Sequence, residues 1–86
     1  MKTPERKVRH IVASDFRLAH LAAEQLRLAP YEWRLANRVE DLQGVIAENI
    51  VLVFPVLGPN SPYRDACEYA HHIAARDGVK LKTVTV

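Results

Sequence analysis

The chain has 86 residues, 49% of them apolar, and 12 Lys+Arg against 10 Asp+Glu for a formal net charge of +2. That is one domain with a modest core; it excludes wholesale disorder, and its charge is less basic than a dedicated nucleic-acid module usually carries. The lone cysteine, Cys67, excludes an intrachain disulfide. No apolar run approaches the ~18 residues of a membrane span, and no signal-peptide core follows the charged start, so the expected setting is a reducing cytoplasm.

Residues 1–8 contain Lys2, Pro4, Arg6 and Lys7 and read as a flexible basic arm. A single α/β domain is expected over 9–86. Strand one is predicted over 9–13, where Ile11-Val12-Ala13 is continuously apolar, as in a strand buried on both faces. Ser14 or Asp15 caps a helix running to about Leu28. Its stripe Phe16, Ala19, Ala23 and Leu26 should face the sheet, widened by Leu18, Leu21, Ala22 and Leu28.

Ala29-Pro30 ends that helix, and Glu32–Ala36 reads as strand two, with Trp33 and Leu35 on one face. Trp33 is expected beneath helix one, with Tyr31 covering the edge; stacking on bases or anchoring a partner is the alternative. Asn37 to Gln43 makes a short helical turn stopped by Gly44, a candidate for positive φ. Val45 and Ile46 lead into strand three, Asn49–Phe54, the most hydrophobic segment and the expected sheet centre.

A loop with three prolines and a glycine follows, from Pro55 to Pro62. Helix two is predicted over Tyr63–Asp77, capped by Asn60 or Ser61, with Pro62 in its first position. Its buried stripe is Tyr63, Ala66, Ala70, Ile73 and Ala74, and Gly78 stands where a left-handed cap belongs. Strand four covers Val79–Val86. Its pattern changes phase: Val79 and Leu81 share a face with Thr83 and Thr85, and Lys80 and Lys82 with Val84 and Val86. A bulge would explain this, or pairing of the last residues with something else.

The elements make β-α-β-β-α-β, a mostly parallel four-stranded sheet with two main helices in three or two layers. Strand order 2-1-3-4 places a switch point between strands one and three, and ligands of such sheets bind beyond the carboxyl ends of the strands. Residues there that suit a phosphate or a nucleic acid are Ser14, Arg17, Arg38, Asn60 and Arg64. The plainer reading is helix capping with solvated arginines, and Asp15 opposes an anion at the first helix start.

With only Gly44, Gly58 and Gly78, neither a dinucleotide fingerprint nor a P-loop can be drawn. Cys67/His71 and Glu68/His72 are spaced four apart, but two ligands do not make a zinc site. No nucleophile elbow is present. The expectation is no enzyme, no cofactor and no metal. His20 and Glu24 are set to pair along helix one.

Glu32-Trp33-Arg34, Leu42-Gln43-Gly44 and Val51-Leu52-Val53, over about residues 10–58, resemble small α/β proteins encoded by phages of actinobacteria. The proline loop departs from the shorter connection of that pattern. The resemblance implies a Rossmann-like fold and a phage setting in the cytoplasm of a bacterial host. Small accessory phage proteins often bind host components, sometimes with growth inhibition.

The expected function is therefore protein–protein interaction with a host or phage protein. The contact surfaces would be Val56 and Leu57 on the proline loop, Tyr69, His72 and Arg76 on the outer face of helix two, and the strand-four edge. The chain would be a monomer, or a homodimer through that edge. A nucleic-acid or nucleotide-phosphate module is the alternative.

Overall fold

The computed structural model describes residues 8–54 and 61–85. Val56, Leu57 and Asn60 of the proline loop, the arm over 1–7, and Val86 lie outside the described residues. The elements are β1 (Arg9–Val12), α1 (Phe16–Gln25), β2 (Trp33–Ala36), β3 (Ile50–Phe54), α2 (Ser61–Asp77) and β4 (Lys82–Thr85). Short 3-10 turns occupy Pro30–Glu32, Val39–Leu42 and Ala47–Asn49. All four strands are parallel, in the order β2-β1-β3-β4.

This order sets the layers. The step from β1 to β2 runs one way across the sheet; the steps from β2 to β3 and from β3 to β4 run the other way. Right-handed crossovers in opposite directions fall on opposite faces. One face accordingly carries α1, and the other carries α2 with the turns around Leu42 and Ala47. The domain is three-layered. Ile11, Val51 and Val53 face α1, while Val12, Ile50 and Leu52 face α2. Covering both faces of β1 and β3 is what demands their continuous apolar runs.

α1 runs across the strands and approaches all four of them. Its first turn sets Phe16 on Trp33 of β2, ring centroids 5.2 Å apart, and its last residue, Gln25, donates from Nε2 to the Thr85 carbonyl of β4 at 3.0 Å. Ten residues span ~15 Å along a helix, about the width of four strands spaced ~4.8 Å apart. Buried Ala19, Ala22 and Ala23 let the helix lie close on the sheet.

This placement corrects the predicted stripe. Phe16 is 61% exposed, because the first turn overhangs the outer strand β2 and only the Trp33 indole lies beneath it. Leu21 is also exposed, on the outer side. Trp33 is buried as expected, whereas Tyr31 is 67% exposed.

Boundaries shift where local geometry intervenes. α1 stops at Gln25, three residues early, because Arg27 takes a left-handed φ of +56° and reverses the chain. β2 begins at Trp33, since Glu32 belongs to a turn in which its carboxylate accepts from the Ala29 amide at 2.9 Å. β3 begins at Ile50, after the turn Ala47–Asn49. Helix two begins at Ser61, which is thus its first residue and not its cap.

Gly44, at φ +78°, is the third residue of a type II turn in which the Val45 amide donates to the Leu42 carbonyl at 3.2 Å. β4 begins at Lys82, three residues later than predicted, so the phase change falls at its start and needs no bulge: Leu81, packed on the α2 side, precedes the strand, and within it Val84 is buried on the α1 side.

Candidate functional site

Two of the surfaces expected from the sequence can be built from the described residues. The first is the carboxyl edge of the sheet. Asp15, in extended backbone conformation, caps α1: its Oδ1 accepts from the Leu18 amide at 2.9 Å. A carboxylate thus holds the place an anionic ligand would take at this helix start. Ser14 is half-buried beside it and makes no cap bond.

Arg17, Arg38 and Arg64 are exposed. Arg64 Nε lies 3.8 Å from Glu68 Oε1, a solvated pair of little energetic weight. Arg38 precedes the turn Val39–Leu42, in which Asp41 Oδ2 accepts from the Asn37 amide at 3.2 Å. Topology brings the arginines to one edge, and among the described residues neither Arg17 nor Arg38 makes an ion pair.

Behind this edge the Tyr63 hydroxyl donates to the Val53 carbonyl at 3.2 Å, from a residue only 4% exposed. Burial pushes the Tyr63 phenol well above its usual range, and the neighbouring Cys67 adds to the shift. Burial also raises the half-buried Cys67 thiol, with Glu68 opposing ionisation further, while its hydrogen bond with Tyr63 acts the other way. A protonated thiol is a poor nucleophile and a poor metal ligand. His71 and His72 are exposed, and the described residues contain no cluster of three or more His, Cys, Asp or Glu suited to a metal ion.

The second surface is the outer side of α2. Tyr69, His72 and Arg76 recur at helical spacing and form one stripe. Tyr69 is half-buried and packs against the core beneath. The His72 ring lies stacked on it with centroids 6.5 Å apart. Arg76 Nε donates to Asp77 Oδ1 at 2.9 Å, and Asp77 Oδ2 accepts from the Ala47 amide at 3.0 Å. The Arg76 guanidinium, and secondly the Ala47 amide, hold the Asp77 carboxyl below its usual range.

Asp77 was not singled out from the sequence. Its partner, Ala47, is thirty residues away, a relationship that no local pattern reveals. The exposed aromatic at the β2 edge was missed for a different reason. Phe16 fits the helical period, but only at the rim of the stripe centred on Ala19, Ala22 and Ala23.

Compared with models of protein families, with curated proteins and with solved structures, the chain matches none.

Proposed function

We infer that the chain is a non-enzymatic accessory protein of phage type that acts by binding a protein partner, with the outer face of α2 as the docking surface. The observation that carries this reading is the Tyr69–His72–Arg76 stripe: a supported aromatic, a ring stacked on it, and an arginine fixed by a carboxylate that is itself tethered to the backbone. Tyrosine and arginine held in place are the residue types that dominate binding energy, and their prior order reduces the entropy lost on docking. The competing phosphate reading is weakened by Asp15, which occupies the α1 amide.

The test is affinity capture from an actinobacterial lysate with the wild type, His72→Glu, and Lys82→Glu as a surface control. A partner retained by the wild type and Lys82→Glu but lost from His72→Glu supports the reading. Equal recovery by all three removes α2 from the interface. Binding of DNA or RNA at low ionic strength, falling steeply with salt, would favour the phosphate reading in its place.

A further inference from the structure

We propose that a second copy of this chain pairs with the outer edge of β2, antiparallel about a twofold axis through Leu35, to give a continuous eight-stranded sheet. The inference uses a surface other than α2 and stands apart from the docking reading above.

The sheet has two outer strands, and they differ. β4 shows the usual protection of an edge. Lys82, Thr83 and Thr85 are exposed along it, and the Gln25 side chain occupies the Thr85 carbonyl. β2 carries no lysine and a single exposed charge, Arg34, whose main-chain groups face β1, and the exposed ring of Phe16 lies over its margin on Trp33.

The direction of the β2 backbone groups follows from one bond. The Ala36 carbonyl accepts from the Ala13 amide, so Ala36 points inward to β1. Main-chain groups alternate along a strand, hence Arg34 also points inward while Trp33, Leu35 and Asn37 point outward. The Asn37 amide confirms this, since it donates away from β1 to Asp41 Oδ2. The Leu35 N–H and C=O have no partner among the described residues.

With an outward residue on the twofold, that residue and its symmetry mate exchange both bonds; with an inward residue there, its outward neighbours pair instead. Centring on Trp33 would require the turn Pro30–Glu32 to be extended, which it is not. Centring on Leu35 uses backbone that is extended at both ends, with φ −147° at Trp33 and −138° at Arg38. Leu35 then exchanges both bonds with its symmetry mate, and the Trp33 N–H faces the Asn37 carbonyl of the other copy.

The same register brings Glu32, the last residue of the turn Pro30–Glu32, to the level of Arg38 of the other copy, twice by symmetry. Only one Glu32 oxygen is used by Ala29, and Arg38 makes no ion pair among the described residues. Opposite charges across a strand pair stabilise it, and the alternative centred on Ala36 opposes Arg34 to Arg38. The Leu35 register therefore pairs the free Leu35 groups and avoids opposing two arginines, while the Asn37 amide stays with Asp41, and it brings Phe16 of each copy to the seam.

The measurement is molar mass in solution, by light scattering and sedimentation equilibrium over a wide concentration range, with circular dichroism to verify folding. The wild type is expected to approach twice 9.7 kDa as concentration rises. Leu35→Pro, which removes an outward N–H that the fold itself does not use, and Arg38→Glu should each raise the dissociation constant at least tenfold. Adding Glu32→Lys to Arg38→Glu should recover most of the loss. A monomer at every concentration overturns the proposal, as does a dimer indifferent to both single variants, or one lost only when β4 is altered.

Discussion

Arg27 and Gly78 occupy the same position in the same turn, each the left-handed residue that closes a helix, at φ +56° and +67°. After α1 the Leu28 amide donates to the Ala23 carbonyl at 2.9 Å, and the Arg27 amide to that of Glu24 at 3.0 Å. After α2 the Val79 amide reaches Ala74 at 3.0 Å, and the Gly78 amide reaches Ala75 at 3.4 Å. These are the two bonds of a Schellman motif, which prefers glycine. A side chain there carries a penalty of about 1–2 kcal/mol. Glycine offsets part of that by loosening the unfolded chain by about 0.4–1 kcal/mol. Arg27→Gly should therefore stabilise the fold by about 0.5 kcal/mol in urea unfolding. Gly78→Ala should destabilise it by about 1 kcal/mol through backbone strain alone, because nothing lies within 4 Å of an added Cβ.

The Asp15 cap gives a second prediction. Asp15→Ala should cost about 1 kcal/mol, and Ser14→Ala distinctly less, since the Leu18 amide is bonded by Asp15. Equal losses at the two positions would show that Ser14 shares the cap.

Tyr63 links stability to alkaline pH. The folded state holds its phenol protonated above the ordinary value of 10.0, so the unfolded state releases its proton first. The stability this residue supplies is intact below pH 10 and lost as pH rises above it. Tyr63→Phe should flatten that decline. At neutral pH it should cost about 1–2 kcal/mol by orphaning the buried Val53 carbonyl. Denaturation midpoints from pH 7 to 11 give both effects.

His10 acts at the acid end. Burial, and secondly the Arg34 charge, lower its pKa from 6.5, with Asp41 opposing. Its contribution is present above pH 6.5 and is lost as pH falls, because the unfolded chain takes up the proton first. Stability should drop from pH 7 toward 5, and His10→Gln should reduce the drop. An unchanged pH profile in the variant would assign the acid sensitivity to other groups.

Strand order, parallel pairing and the buried stripe of α2 were legible because each rests on local pattern: the apolar runs at Ile11–Ala13 and Ile50–Phe54, the alanines of α2, and Gly78 at its end. The handedness of crossovers then fixes the faces. The path of α1 was not legible. Its alanines declare a buried face without saying in which direction the helix lies on the sheet, and that direction decides that Phe16 emerges while Trp33 is covered. The phase change near β4 was not legible either, because the strand starts only at Lys82 and Leu81 before it packs on the opposite side of the sheet from Val84.

The same helix has a mechanical consequence. Strands in a parallel sheet hold well under shear, where the ladder's hydrogen bonds are loaded together, and yield more readily when an edge is peeled away one bond at a time. A bar laid across all four, seated on Trp33 at one end and hydrogen-bonded to Thr85 at the other, opposes that peeling. Load placed on either margin is distributed to the whole sheet, so the strands should yield together as one block and not peel away from an edge.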